Sequence, residues 1–270
     1  GAASHGSQRW ISIGPFSLQP SELAKIGIIL FLAAYISSKS REMRQWKKMV
    51  IPFLFAIPII VIVGIENLST CIILLAISFI MIFVATPLLV PFVVIGLIGV
   101  AGAGGLLLTQ GYRMERITVW LDPAASEKGH QTIQGLYAIG SGGLFGKGLG
   151  QSMQKLGFLP EANNDMIFSV ICEELGLFGA LCVLALFFAL IWRFMVIAVN
   201  APDLYGSMIV VGVIAHIGIQ VFINIAVATN TIPNTGIPLP FISYGGSSLV
   251  FMLLEMGLVL SVSRYINVKK

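Results

Sequence analysis

Charged residues are absent from long stretches of this chain, and this constrains the fold more than any other feature. No Asp, Glu, Lys or Arg stands between Glu66 and Arg113 or between Asp203 and Glu255. A helix needs about 20 mostly apolar residues to cross a bilayer, so each of these stretches can hold two spans. Only 10% of the residues are charged, 57% are hydrophobic, and the mean hydropathy is +0.93. This composition excludes a soluble enzyme, a disordered chain and a nucleic-acid-binding protein.

Seven apolar stretches are candidates for membrane spans. Backbone N–H and C=O groups find no water in the hydrocarbon layer, so each stretch is expected to be a helix. The sequence predicts an all-α, polytopic helical bundle. It is organised as a single membrane domain over residues 1–270, with a large extracytoplasmic loop at about 110–170. The predicted spans are residues 20–38, 49–65, 68–86, 88–109, 171–195, 204–229 and 246–264.

The distribution of Lys and Arg among the short loops predicts the orientation of these spans. Residues 39–48 form the most basic short loop, which places this loop in the cytoplasm. Alternation then places residues 110–170 and 230–245 outside and the basic C-terminus inside, in agreement with the same rule. Residues 1–19 consequently lie outside. That position requires either an external N-terminus or an odd number of spans before Gly1.

Asp165 is the acidic residue with the most informative position, because it stands directly before an apolar run. Glu173 and Glu174 follow about two helical turns later. Carboxylates at a membrane boundary are costly and usually face a cavity or have a partner. Two interpretations are open: a functional carboxylate, or a helix N-cap at Asp165 with Glu173 as the buried partner of an Arg or Lys. Glu173 and Glu174 lie deeper in the span and are expected to be structural.

Two segments rich in Gly or Pro are expected to be irregular. Residues 135–157 contain many glycines but match neither GxxxxGK[ST] nor GxGxxG, so they form either a flexible interfacial loop or a close backbone approach to a ligand. Residues 231–246 contain three prolines and the Gly245–Gly246 pair, which end helices. Such backbone either packs as a loop or lines a cavity. We expect residues 231–246 to fold beside Asp165.

The N-terminal segment carries a further polar pattern before the first predicted span. Pro20, Ser21 and Glu22 are typical of a helix start, and Glu22 shares a face with Lys25. Arg9, followed by a tryptophan, is typical of an interfacial anchor. His216 lies within an apolar span, where a helix-packing hydrogen bond is the commoner role, so no functional role is assigned to it.

Three motifs, in the order found along the chain, resemble the SEDS (shape, elongation, division and sporulation) family of bacterial membrane proteins, the RodA, FtsW and SpoVE type. They are RWISIGPFSLQPSELAK, GSGGLFGKGLGQSMQKLGFLPEANNDMIFSVICEELG and NTGIPLPFISYGGSS. The resemblance implies that the first three spans of the family are absent here, and an odd number is what the charge distribution requires. The chain reads Asn163-Asn164-Asp165 where the family usually has His-Thr-Asp, and Asn67 replaces an expected Asp.

The resemblance implies a multi-pass protein of the bacterial cytoplasmic membrane with peptidoglycan glycosyltransferase activity. Its substrates are then lipid II and the growing glycan strand, used in division, elongation or sporulation. Its partners are a class B penicillin-binding transpeptidase and other division or elongation proteins, with no nucleic acid. A lipid II flippase and a noncatalytic scaffold for the transpeptidase are the alternatives. The spans' inner halves are almost free of charge, which favours an enzyme of the outer face over a flippase.

The expected reaction is attack by a sugar 4-hydroxyl on an anomeric carbon, with lipid pyrophosphate leaving. Asp165 is the candidate catalytic base, because a carboxylate can take the hydroxyl proton. The pyrophosphate needs positive charge, from Lys or Arg side chains or from a divalent cation such as Mg²⁺ or Mn²⁺. The candidates for substrate binding are Arg9, Glu22, Lys25, Lys147, Lys155, Ser243 and Ser247.

Overall fold

The structure is a computed structural model that describes residues 2–4, 7–13, 16–86, 96, 111–126 and 129–266. Helices dominate these residues, because apolar segments in lipid must satisfy their backbone groups internally. The longer helices are α1 (Pro20–Ser38), α2 (Trp46–Glu66), α3 (Leu68–Ala85), α4 (Gly111–Leu121), α5 (His130–Gly142), α6 (Ile167–Val199), α7 (Leu204–Ala228) and α8 (Gly246–Arg264). Short 3-10 turns are Glu42–Arg44, Pro123–Ala125 and Gln154–Leu156.

Six of the described helices are long and apolar enough to cross a membrane: α1, α2, α3, α6, α7 and α8. They correspond to six of the seven predicted spans and confirm the all-helical membrane architecture. Helices α1 and α8 begin and end at the predicted residues. The predicted span at 88–109 lies outside the described residues, apart from residue 96.

Helix starts follow local chemistry. Pro20 occupies the first turn of α1, where its missing N–H costs nothing, and Glu22 places an acid at the positive end of the helix dipole. Asn67 caps α3 by accepting a hydrogen bond from the Thr70 N–H at 3.2 Å. The position that departs from the family pattern therefore has a structural role in this chain.

The chain divides into two compact units. The first comprises Gly1–Val93, Leu190–Ile219 and Gly245–Lys270. Within it, Ile28, Ile29 and Leu32 of α1 are fully buried. A Cβ at Gly212 of α7 would touch Ile29 and Met81, so this glycine permits close helix packing of the kind that membrane bundles favour. The second unit comprises Val94–Ala189 and Gln220–Tyr244. The single-domain organisation stays a prediction.

A buried His–Glu pair joins two helices of the first unit. His216 Nδ1 lies 2.9 Å from each carboxylate oxygen of Glu255, and both side chains are 1% exposed. The contact gives the buried carboxylate of Glu255 a polar partner inside a membrane bundle, whereas Nε2 of His216 is buried without a hydrogen-bond partner among the described residues. His216 therefore has a helix-packing role, which is the common role of a histidine within a membrane span.

A small antiparallel sheet precedes α1, which the all-α prediction did not include. It consists of β1 (Ala2–Ser4), β2 (Ser7–Ile13) and β3 (Phe16–Leu18), in the order β1-β2-β3. Strands β2 and β3 pair in the register Ile11 with Leu18 and Ile13 with Phe16. The three-residue strands β1 and β3 are too short to show an alternation of apolar and polar residues in the sequence.

The polar segment between the predicted spans is also more ordered than a loop. The part at 110–170 contains helices α4 and α5, followed by an irregular stretch of residues 143–158, here called the glycine loop. The prediction that residues 110–170 form one large loop is therefore not confirmed. The extracytoplasmic location of this segment stays a prediction. Helix α6 is broken at Gly176, whose φ of 67° lies outside the helical region.

Candidate functional site

Asp165 lies in the second unit, immediately before α6, and its side chain points into the protein. The residue is only 8% exposed. Its carboxylate accepts hydrogen bonds from the Gln131 amide on α5, with Nε2 at 3.3 Å from Oδ1 and 3.5 Å from Oδ2. A buried carboxylate that is held by an amide, and not by a lysine or arginine, keeps oxygen lone pairs that can accept a proton.

The segment rich in proline and glycine folds against the Asp165 turn. Asn224 of α7 donates from Nδ2 to the backbone oxygens of Asp165 and Ile237, both at 2.8 Å. The Tyr244 N–H donates to the Asn163 oxygen at 2.8 Å. A Cβ at Gly236 would lie 3.9 Å from Asp165 Oδ2. The prediction that residues 231–246 fold beside Asp165 is confirmed.

Ser243 holds this segment in place. Its hydroxyl donates to the Asn164 oxygen at 2.5 Å and accepts from the Leu239 N–H at 2.7 Å. These bonds give Ser243 a structural role next to the Asp165 turn, while its predicted contact with substrate stays a prediction.

A second layer of hydrogen bonds orients Gln131. Its Oε1 accepts from Asn234 Nδ2 at 3.0 Å, which directs Nε2 towards Asp165. The Asn234 backbone oxygen accepts from Arg116 Nη1 at 3.2 Å, and its side chain accepts from the Gly236 N–H at 3.0 Å. A chain of contacts thus runs from Arg116 on α4 through Asn234 and Gln131 to the carboxylate of Asp165.

The environment of Asp165 makes it a stronger base than an ordinary aspartate. Burial raises the pKa of Asp165 from 3.8 to about 6, and the nearby negative charge of Glu161 adds to the rise. The hydrogen bond from Gln131 and the positive charge of Arg116 act in the opposite direction. A carboxylate with this pKa is still ionised at neutral pH and holds a proton more readily once it has taken one.

The two predicted lysines of the glycine loop are engaged with the glutamates of α6. Lys147 Nζ lies 2.7 Å from Glu173 Oε1, and Lys155 Nζ lies 2.5 Å from Glu174 Oε1. Ser152 donates to Glu173 Oε2 at 2.5 Å. This pairing agrees with the interpretation in which Glu173 is the buried partner of an Arg or Lys. Because two lysines face two glutamates, these contacts carry no net charge, and the role of Lys147 and Lys155 in substrate binding stays a prediction.

The remaining predicted residues belong to the first unit. Glu22 and Lys25 form an ion pair at 2.8 Å between consecutive turns of α1, and Lys25 is almost fully buried. Ser247 lies in the first turn of α8 and is half-buried. Arg9 lies on strand β2. Their roles towards the substrate stay predictions.

The described residues contain no group of three or more His, Cys, Asp and Glu side chains that could hold a metal ion. Mg²⁺ commonly binds through one or two carboxylates together with substrate phosphates, so a cation held by substrate would not need such a group. A divalent cation therefore stays a proposal, and no step below is routed through one.

Comparison with known proteins identifies the relatives of this chain. A family model described as "Cell cycle protein", which covers FtsW, RodA and SpoVE, matches residues 1–268. The chain belongs to this family. It is the SEDS family that the three sequence motifs resemble. The match extends over the Asp165 turn, the irregular segment and all six described spans.

Two relatives of this SEDS chain show the range of the family. It is 48% identical to "Stage V sporulation protein E" of Bacillus subtilis (strain 168), over 98% of this chain and 74% of the relative. It is 36% identical to "Probable peptidoglycan glycosyltransferase FtsW" of Geobacter sp. (strain M18), over 97% of this chain and 73% of the relative.

Two solved structures share the fold of this SEDS chain. One is described as "Structural coordination of polymerization and crosslinking by a peptidoglycan synthase complex", with a TM-score of 0.80 and 28% identity over 99% of this chain and 76% of the other. The rod shape determining protein RodA of Thermus thermophilus matches with a TM-score of 0.69 and 29% identity, over 99% of this chain and 72% of RodA. The chain is a multi-pass protein of the bacterial cytoplasmic membrane, as predicted.

Proposed function

The chain is a peptidoglycan glycosyltransferase, and we propose that Asp165 is its general base. The observation that carries the residue assignment is the buried carboxylate before α6, oriented by Gln131 and enclosed by the irregular segment. The family match supports the reaction class, because relatives over nearly the whole chain bear the name of that activity. The N-cap interpretation has weaker support, since the carboxylate accepts hydrogen bonds from the side-chain amide of Gln131 on α5.

The proposed step forms one bond and breaks one bond. The oxygen of a sugar 4-hydroxyl attacks the anomeric carbon of a lipid-linked sugar. The bond from that carbon to the pyrophosphate oxygen breaks, and the lipid pyrophosphate takes the electron pair. Asp165 accepts the hydroxyl proton, which makes the attacking oxygen more nucleophilic as the bond forms. The carboxylate must be ionised at the start of the step.

The leaving pyrophosphate requires positive charge. We propose that it comes from a cationic side chain, with Arg9, Lys25, Lys147 and Lys155 as candidates, or from a divalent cation. Lys25, Lys147 and Lys155 each contact a glutamate, so binding a phosphate would mean sharing or exchanging that partner. Removing divalent cations with EDTA before the polymerisation assay separates the two sources of charge.

The substrate and partner follow from the same proposal. Lipid II supplies a sugar on a lipid pyrophosphate at the membrane surface, and the growing glycan strand is the second reactant. The structural relative described as a peptidoglycan synthase complex that coordinates polymerization and crosslinking favours a class B transpeptidase as the partner. Glu22 and Ser247 are proposed contacts of the substrate.

The test is polymerisation of lipid II by the full chain, reconstituted with a class B transpeptidase. Asp165→Asn keeps the size and capping ability of the side chain and removes the base, so activity should fall about 10²–10⁴-fold. Glu161→Gln is the matched control, since it removes one charge from an exposed side chain of the same turn and should remain active. Near-normal polymerisation by Asp165→Asn at unchanged protein level would instead favour a flippase or a scaffold.

A further inference from the structure

Large apolar side chains of the glycine loop are exposed to an unusual degree. Phe145 is 82% exposed, Leu149 77% and Leu156 72%. Leu144, Met153 and Phe158 are also more than half exposed. A contiguous set of exposed apolar side chains marks a surface that contacts a membrane or another protein.

The glycine loop is nevertheless fixed to helix α6 rather than free. The N–H groups of Lys147 and Gly148 donate to the oxygens of Glu173 and Glu174, each at 2.9 Å. The Leu177 and Phe178 N–H groups donate to Gly143 and Leu144 at 2.9 and 3.1 Å. These four bonds join the start of the loop to the part of α6 around its break.

The two lysines of the loop are paired with glutamates of α6. Lys147 and Lys155 contact Glu173 and Glu174, and the Gly150 N–H donates to Glu174 Oε2 at 3.0 Å. Both glutamates are buried. The ion pairs therefore neutralise both lysines, although Lys147 keeps 36% of its side chain exposed, and the large apolar side chains that the loop exposes are Leu, Phe and Met.

We infer from the length of α6 that the membrane boundary on this side lies near its break. All 33 residues of α6 would span about 50 Å, whereas the hydrocarbon core is about 30 Å thick. Residues 177–199 alone span about 35 Å and suffice to cross the core. The residues before Gly176 then stand above the hydrocarbon. The loop, bonded to the helix at Leu177 and Phe178, lies at the boundary itself.

The apolar surface of the span continues into the loop. Leu177 and Phe178 are exposed on α6, and their backbone N–H groups bond to the loop next to Leu144 and Phe145. On α6 such side chains face acyl chains, because the helix is a membrane span. Apolar side chains at the boundary, next to lysines that are neutralised by glutamates, suit an interfacial membrane anchor.

We propose that the glycine loop is a lipid-contacting anchor whose side chains Leu144, Phe145 and Leu149 insert into the lipid leaflet on the Asp165 side of the membrane. The anchor fixes the height of the α6 start above the hydrocarbon. Asp165 precedes Gly176 by a distance along the helix of roughly 15 Å, which is within reach of the sugars of a lipid-linked substrate. The lipid contact does not depend on the proposed function. The consequence for Asp165 does.

The test measures the depth of single spin labels in vesicles of phosphatidylethanolamine and phosphatidylglycerol. Cysteine replaces Phe145 or Leu149 in a full chain whose Cys71, Cys172 and Cys182 are alanine. The reference positions are Phe188, exposed on the span, and Ala124, exposed in the 3-10 turn Pro123–Ala125. We expect labels at 145 and 149 to lose collisions with an aqueous nickel complex and to gain collisions with oxygen, as at Phe188.

Two results would overturn the anchor. The first is nickel accessibility at 145 and 149 equal to that at Ala124, which would mean that the loop lies in water. The second is protection from both reagents that arises only when a class B transpeptidase is co-reconstituted, which would mean that the surface binds protein.

A second experiment separates the anchor from the catalytic proposal. A variant in which Leu144, Phe145 and Leu149 are all serine loses exposed side chains only, so we expect folding to be retained. It should polymerise lipid II more slowly than the parent chain in vesicles and at the parent rate in detergent. Asp165→Asn should be inactive in both. Equal rates of the triple variant and the parent in vesicles would refute the anchoring role, whatever the result for Asp165.

Discussion

Gln131 donates its side-chain amide to both carboxylate oxygens of Asp165, at 3.3 and 3.5 Å, and its own oxygen accepts from Asn234 at 3.0 Å. The amide cannot turn over without losing both contacts, because a carbonyl oxygen would then face the carboxylate and an NH₂ group would face Asn234. Gln131 is therefore a positioning residue for Asp165. It favours the ionised carboxylate and fixes the direction of its free lone pairs.

Replacing Gln131 should change the pH dependence of the reaction. Gln131→Met removes the donor while retaining much of the side-chain volume, so the pKa of Asp165 should rise. A hydrogen bond to a charged group contributes about 1.5–3 kcal/mol, so its loss should lower the ionised fraction of Asp165 at pH 7, and with it the activity, about 2- to 15-fold. The initial rate of lipid II polymerisation, measured from pH 5 to 9, checks this. The loss should be partly recovered at high pH. A uniform loss at all pH values would indicate a purely structural role.

A substitution of Asn234 tests the same positioning of Asp165 by Gln131. Asn234→Ala leaves Gln131 in place but releases its oxygen, so the amide is free to adopt either orientation. We expect the shift in the pH profile to have the same direction as for Gln131→Met and to be smaller. A larger shift than that of Gln131→Met would contradict the order of contacts from Asn234 through Gln131 to Asp165.

The unmodified chain should gain activity as the pH rises through about 6. Asp165 accepts a proton in the proposed step, so only its ionised form is active, and its pKa is raised to about 6. Below that pH the rate should fall about tenfold per pH unit. Glu161→Gln removes a negative charge that raises this pKa, so its midpoint should lie lower. A midpoint near 4 would show that Asp165 is solvated in the working enzyme.

The same raised pKa predicts a stability effect of definite sign. The folded chain binds a proton at Asp165 more tightly than an unfolded chain, whose aspartate has the ordinary pKa of 3.8. Between about pH 4 and 6 the free energy of unfolding therefore falls as the pH rises, and above 6 the full cost of the buried charge is present. Asp165→Asn should consequently be at least as thermostable as the parent chain at pH 7.5 in detergent, despite its loss of activity. A large drop in its melting temperature would favour a structural role.

The fold could be predicted for the segments that cross the membrane, because a membrane span must be long, apolar and almost free of charge. The length of an apolar stretch and the absence of charges determine a span, and α1 and α8 begin and end as predicted. Helices α4 and α5 lie in a polar segment where no such rule applies, so they were not predicted. The break at Gly176 was missed as well, since a single glycine in an apolar run is compatible with an unbroken helix.

The candidate site likewise contains residues that could be found from the sequence and residues that could not. Asp165 could be found because it is an acid that stands directly before an apolar run. Gln131 and Asn224 could not, because they lie 34 and 59 residues from Asp165 in sequence and are uncharged. An amide residue in a helix gives no signal of the contact that it makes across the fold. A lysine or arginine partner could be considered for Glu173, but the sequence does not show that the partner is Lys147.

The His216–Glu255 pair predicts strong coupling between two substitutions. His216→Leu leaves the Glu255 carboxylate buried without this partner, which typically costs about 3–5 kcal/mol. The double variant His216→Leu, Glu255→Leu replaces both polar groups with apolar ones and should recover most of the loss. Melting temperatures of the single and double variants in detergent measure the coupling. Additive losses would show that the two residues contribute independently.

Replacing Gly176 of helix α6 should destabilise the chain. Its φ of 67° and ψ of –166° belong to a region that only glycine adopts readily, at a cost of about 1–3 kcal/mol for other residues. A Cβ there would also collide with the backbone of Gly146 and Leu144, and Gly146 has a φ of 77°. Gly176→Ala should therefore displace the glycine loop and lower the melting temperature.

Gly257→Ala is the matched control, because Gly257 lies in helix α8 and a Cβ at this position meets no atom within 4 Å. Alanine favours a helix by about 1 kcal/mol over glycine, so this variant should be as stable as the parent chain or slightly more stable. Spin labels at Phe145 supply the second readout. In the Gly176→Ala background they should become accessible to aqueous nickel, because the bonds from Leu177 and Phe178 that hold the loop at the boundary are lost. A Gly176→Ala variant with the parent melting temperature and an unchanged label depth would show that the loop does not depend on the break in α6.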